Sequence, residues 1–184
     1  MRKTLLALAA ASTLLASAAQ AQTAAYAIDP THTFVSFEIG HFGTTTNRGR
    51  FDKKEGTIAF DRAGKTGKVD ISVDTASIST GTDAFNKHLQ SADLFDAAKY
   101  PTIKFSADKF AFTGDKVSQI TGTLTLLGKT QPVTLKASQF NCYMSPMVKR
   151  EVCGGDFETT IDRTQFGMNY GIDWGFPKDV RLVV

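Results

Sequence analysis

Reactive side chains are scarce in this chain. It holds only three histidines, two cysteines and one tryptophan. No G-x-S-x-G elbow, H-E-x-x-H pair or Walker loop occurs, so the chemistries those motifs carry have no foothold. Periodic glycine, polar low-complexity tracts and blocks of like charge are also missing, which excludes fibrous, disordered and tail-driven readings. Charge of one sign is lacking as well, with Lys+Arg 21 against Asp+Glu 18. Such a balance leaves no electrostatic footprint for nucleic acid. After the first two dozen residues, no stretch is long and apolar enough to span a bilayer.

The start of the chain reads as an export signal. Arg2-Lys3 is followed by an uncharged, Leu- and Ala-rich run from Thr4 to Ala19. Ala19-Gln20-Ala21 then supplies an A-x-A cleavage pattern, with the cut expected after Ala21. The apolar core is short and diluted by Ser and Thr, which weighs against a membrane anchor. Residues 1–21 are therefore assigned to a signal peptide and 22–184 to one mature domain. Losing Arg2 and Lys3 leaves the mature part near neutrality, and the expected compartment is the periplasm. In that oxidising space Cys142 and Cys153 are expected to form one disulfide. Closing so short a loop is worth about 3 kcal/mol in the chain-entropy model. A metal or redox role fits worse, because the spacing is far from C-x-x-C and no histidine lies nearby.

What is abundant is short-range apolar alternation. Val35, Phe37 and Ile39 share one face of a segment, as do Val69, Ile71 and Val73. Thr57–Phe60, Thr102–Ala107 with Ile103 and Phe105, and Gln119–Leu126 with Ile120, Leu124 and Leu126 repeat the pattern. Pro132–Ala137, Phe157–Ile161 and Val180–Val184 complete it. The chain stops inside the last alternation, where a final strand is either complete or cut short. Turns at Gly64, Gly114 and Gly128 put glycine where positive φ is cheap. About eight short strands joined this way predict an all-β antiparallel sandwich or barrel, and eight suffice to close a barrel around one small ligand. One interval breaks the rhythm. Thr82–Ala98 carries Phe85, His88 and Leu89 at helical spacing, and Ser91 is placed to cap a second short helix bearing Leu94 and Phe95. Such an insert covers either an open barrel end or a sheet edge.

Three function classes follow. His32, His41 and His88 are the neutral-pH bases, and a three-histidine metal site for a hydrolase is chemically valid, but their spacing matches no ligand pattern. Fourteen phenylalanines fit either a solid core, as in an interaction module, or a hollow barrel whose wall binds an apolar ligand. Periodicity gives side-chain direction and not void volume, so it leaves both open.

Several motifs carry a resemblance. Asp29-Pro30-Thr31-His32-Thr33 runs into Val35-Ser36-Phe37-Glu38-Ile39-Gly40-His41, and Gly49-Arg50-Phe51 follows. Lys87-His88-Leu89-Gln90-Ser91-Ala92-Asp93-Leu94-Phe95 precedes Lys99-Tyr100-Pro101. Gly122 to Leu135 forms a third block, and Ile161-Asp162-Arg163 with Phe166-Gly167 a fourth. In this order they resemble the YceI-like family of exported, lipocalin-like lipid-binding proteins.

The resemblance implies an extended eight-stranded lipocalin-like barrel, no enzymatic activity and no cofactor. Its implied ligand is a polyisoprenoid, or a quinone with an isoprenoid tail. Transient membrane contact is implied too, whereas the oligomeric state is not. Inward residues would form the tunnel: Phe37, Ile39, Val69, Ile71, Val73, Phe105, Leu124 and Leu126. His41, His88 and Asp93 would be polar fixtures near the head group, Asp93 also serving its local helix. Phe85 and Asn86 stand where many members carry Arg-Asp, which removes a cation there and favours a neutral head such as a quinone ring or amide. Thr33 replaces the usual Ser. Cys142 and Cys153 are an addition, and the hairpin between them, with Met144, Pro146 and Met147, would be a stapled rim or a partner surface.

Overall fold

The computed structural model describes residues 23–184; the export signal assigned to residues 1–21 lies outside them. Alternating side chains produce strands almost throughout. In chain order they are β1 (Ala24–Ala27), β2 (Val35–His41), β3 (Thr45–Phe51), β4 (Lys54–Asp61), β5 (Thr66–Asp74) and β6 (Ile78–Ser79). The helix α1 (Asp83–Gln90) comes next. It precedes β7 (Thr102–Thr113), β8 (Lys116–Leu126), β9 (Lys129–Met144), β10 (Glu151–Asp162) and β11 (Asp179–Val183).

The eleven strands among the described residues form one antiparallel sheet in the order β1-β4-β5-β7-β8-β9-β10-β11-β2-β3-β6. The sheet curls into a half-barrel. The expected count of eight is corrected to eleven, because β1, β3 and β6 carry little apolar alternation: β3 reads Thr-Thr-Asn-Arg-Gly-Arg-Phe. Among the described residues no ladder closes the ring, since β1 and β6 are its two margins. One corner of the resulting seam is laced instead by the 3-10 turn Thr75–Ser77. There Asp52 N–H donates to the Ser77 carbonyl at 3.0 Å and Asp74 N–H to the Lys53 carbonyl at 3.0 Å.

Tight turns join the long strands. Leu127 and Gly128 both take positive φ, 51° and 70°, the backbone of a two-residue hairpin turn matched to sheet twist. At the β4–β5 turn the positive φ falls on Lys65 (52°) and not on Gly64 as the sequence predicts. Gly64 makes room instead: its N–H donates to Asp61 Oδ1 at 2.7 Å, and a Cβ would lie 2.6 Å from Asp61 Oδ2.

The predicted second helix is also corrected. Residues 91–99 form turns, and Ser91 ends α1 by donating from Oγ to the His88 carbonyl at 2.7 Å. α1 is moored to the sheet margin through Asn86, whose Oδ1 accepts from Thr80 N–H and Thr80 Oγ1, each at 2.8 Å.

Two buried clusters fill the curl. The larger contains Phe60, Val69, Ala107, Ile120 and Leu135, with Phe110, Phe112, Phe140 and Phe157 packed on it. Phe60 is the hub of these rings, 6.1 Å from Phe112 and 5.7 Å from Phe140. They plug the end of the curl where β4 and β7 finish. The smaller cluster holds Phe37, Phe51, Val73, Ile78 and Leu89. Phe95 leans on it, 5.6 Å from Phe51 and 6.4 Å from Phe37.

Candidate functional site

The half of the curl away from the phenylalanine plug is hollow. A cavity of about 330 Å³ lies there. Period two builds one wall directly: Val35, Phe37, Ile39 and His41 are alternate residues of β2 and all face it. The opposite wall is set by register. Val73 of β5 pairs with Ile103 of β7, and both line the space. Leu124 and Leu126 of β8 and Val180 and Leu182 of β11 continue the wall. α1 contributes Phe85, His88 and Leu89, so its apolar face covers the hollow as well as flanking the β6 margin.

The segment after β10 completes the enclosure. Gly167, Gly171 and Gly175 take φ of 87°, 77° and 89° and fold residues 163–178 back over the sheet end. Met168, Tyr170, Trp174 and Phe176 from this loop line the cavity. Trp174 is 64% exposed, and Phe42 beside Phe176 is 50% exposed, so the rim is aromatic and open to solvent.

Polar atoms are few and individually placed. His41 meets the Phe176 ring edge-on at 5.2 Å, and His88 meets Tyr170 at 5.1 Å. Tyr170 in turn contacts Trp174 at 5.2 Å. Arg163 is 3% exposed and lines the same cavity. Its Nε donates to the Pro177 carbonyl at 3.0 Å and its Nη1 to the Met168 carbonyl at 2.9 Å. Burial draws its pKa below the ordinary arginine range, with adjacent Asp162 opposing. Asp162 itself holds the loop start, accepting from Thr164 N–H at 3.0 Å and from Lys178 Nζ at 3.0 Å. Its pKa is lowered, first by Thr164 and then by Lys178.

A family description fits this architecture: the model of the YceI-like domain matches residues 26–184. The chain belongs to the YceI-like family. A UPF0312 protein of Pseudomonas savastanoi pv. phaseolicola is 41% identical over 141 residues, covering 75% of this chain and 73% of that protein. Among solved structures, Burkholderia cenocepacia BcnA superposes with TM-score 0.72 at 24% identity, covering 85% of this chain and 96% of the other. A polyisoprenoid binding domain from Saccharophagus degradans superposes with TM-score 0.61 at 17% identity, covering 88% and 95%. These two structural likenesses show a shared fold.

The YceI-like chain places the expected site residues unevenly. Phe37, Ile39, His41, Val73, His88, Leu124 and Leu126 come together around the cavity. Val69, Ile71 and Phe105 do not line it. They lie further along the sheet, where Ile71 pairs with Phe105 and Val69 with Ala107; Val69 and Phe105 pack into the plugged half, and Ile71 touches both clusters. Asp93 is exposed and outside the lining. The loop residues Arg163, Met168, Tyr170, Trp174 and Phe176 were missed as wall residues, because that segment has no periodicity to read. Only its two motif fragments, Ile161-Asp162-Arg163 and Phe166-Gly167, marked it.

The three histidines do not converge. His32 sits on an exposed turn, 2.7 Å from Asp29 Oδ2, while His41 and His88 line the cavity. Cys142 and Cys153 are directly opposed across β9 and β10 and are bonded.

Proposed function

We propose that this protein is a non-catalytic, exported carrier that encloses part of a long apolar amphiphile, a polyisoprenoid or an isoprenoid quinone. The carrying observation is the cavity of about 330 Å³ walled almost wholly by aliphatic and aromatic side chains. Family membership and the fold shared with a polyisoprenoid binding domain support the reading. The physical gain is direct. Each CH₂ taken from water is worth about 0.8 kcal/mol, so a few isoprene units supply micromolar binding. The volume stands at the small end of the ~300–1,000 Å³ range of ligand cavities. It therefore holds one segment of a long tail, and the rest leaves across the aromatic rim. Exposed Trp174 and Phe42 give that rim an affinity for the membrane interface, where the ligand is collected or released. The bonded cysteines support an oxidising compartment, the periplasm, where the protein serves lipid transport, storage or stress protection.

The test is native mass spectrometry of protein purified after export, followed by organic extraction. A long-chain lipid near unit stoichiometry is expected. Leu124→Trp fills the cavity and should abolish loading while the fold survives; undiminished loading in that variant would refute the assigned wall. A second reading, an interaction module docking through the β9–β10 tip, is favoured by the exposure of Met144 (69%) and Met147 (88%). It predicts a partner lost, with lipid retained, when the tip is replaced by Asn-Gly.

A further inference from the structure

We infer that Arg163 is a head-group site, its guanidinium binding the oxyanion end of the enclosed amphiphile, a carboxylate or a phosphate monoester. The inference rests on the amphiphile-binding reading and, within it, selects an amphiphile with an anionic end over a quinone, whose ring carries no oxyanion.

An arginine has five N–H protons and no accessible neutral form. Here the Nε proton goes to the Pro177 carbonyl and one Nη1 proton to the Met168 carbonyl. Among the described residues nothing accepts from Nη2. No carboxylate pairs with the group either. The nearest in sequence, Asp162, is turned away toward Thr164 and Lys178. A permanent cation is thus 3% exposed in the wall of a greasy cavity, with Asp162 acting on it through space and no carboxylate bonded to it among the described residues.

Such a charge is costly until an anion meets it, and a low-dielectric wall strengthens the pairing once it forms. Charge-assisted N–H···O⁻ bonds are roughly twice as strong as neutral ones. The guanidinium is also fixed beforehand, because two backbone carbonyls hold its plane. Little ordering entropy remains to be lost when a ligand arrives. Most of the remaining lining, Leu124, Ile161 and Met168 among it, offers a tail apolar contact. The sequence pattern points to a neutral head, because Phe85 and Asn86 replace a charged pair. The fold restores a cation from the other side, on the segment following β10.

Three probes with one saturated C16 tail test this: hexadecanoate, hexadecyl phosphate and 1-hexadecanol. They are titrated calorimetrically into delipidated mature protein at neutral pH. Wild type should bind at least one anionic probe tenfold or more tighter than the alcohol, and the tighter of the two anions identifies the head. Arg163→Gln should cut the anion-to-alcohol ratio at least tenfold, and Arg163→Lys, which keeps the charge but not the planar fork, should fall between. Equal wild-type affinities for all three probes would overturn the proposal without any variant, so a misfolded Arg163→Gln leaves it falsifiable. A ratio unchanged in folded Arg163→Gln would overturn it too. Saturable binding of none of the probes would instead sink the amphiphile reading beneath it.

Discussion

Gly49 of β3 lies opposite Phe37 of β2, and the Phe37 ring rests on the bare glycine. A Cβ at Gly49 would sit 2.7 Å from Phe37 Cε1. Phe37 is both a cavity wall and a core residue. Gly49→Ala should therefore cost about 1–3 kcal/mol of overpacking and reduce lipid loading in the same protein. Gly154→Ala is the control, because a Cβ there meets nothing within 4 Å. Urea denaturation and extracted-lipid stoichiometry measure the two effects.

Carboxylates set the acid limit at this scale. Glu38 is held below its ordinary value of 4.5 by Arg181 and then Arg48, and Asp162 below 3.8 by Thr164 and then Lys178. Asp29 is lowered likewise by Thr31 and His32. Lowered folded values mean stability that is fully present above about pH 4.5 and lost as pH falls through the depressed ones. Thermal melts at pH 7 and 5 should nearly coincide, with a decline opening below pH 4. A decline already open at pH 6 would contradict this carboxylate account.

Among the elements, β9 and β10 show what a strand can carry beyond its pairing. β9 has 16 residues, roughly 50 Å of strand, so its cavity end and its hairpin tip are well separated. Cys142–Cys153 staples the far part, near the phenylalanine plug. Cys142→Ser with Cys153→Ser should lower stability by up to about 3 kcal/mol, read by denaturant midpoint. Lipid capacity should be retained, since the bridge lies off the cavity wall. Loss of capacity in the folded double variant would place the ligand at the wrong end.

The long strands and α1 were legible because β5, the 120–126 part of β8 and α1 keep periods of two or 3.6. β1, β3 and β6 were not, because their partners and not their own side chains make them strands. The two predicted helices became one for a local reason. The Ser91 hydroxyl was spent ending α1, and Phe95 N–H turned back to the Leu89 carbonyl at 3.0 Å.

For the whole molecule, half of the interior is filled and half is empty. Alternation told which residues of β5 and β7 point inward, and all of Val69, Ile71, Val73, Ile103 and Phe105 are buried or half-buried. It did not tell how far along the sheet the rings of Phe60, Phe110, Phe112 and Phe140 extend, because those residues come from three strands distant in sequence. Void is a property of the assembled side chains. Hydrogen exchange can show the division directly. Loading with lipid should slow exchange in α1 and residues 163–178, and leave the β9–β10 tip unchanged. Uniform slowing across both ends would contradict a ligand confined to the hollow half.

The sheet has margins at β1 and β6 where a full barrel would have a seamless circuit. A circuit of fixed strand number and stagger has a fixed bore. Here the circuit is interrupted, and the two lips are tied at one corner where Asp52 N–H donates to the Ser77 carbonyl and Asp74 N–H to the Lys53 carbonyl. The bore beside this seam is therefore set by side-chain packing, Phe51 and Ile78 clustering with Val73, and not by a count of strands.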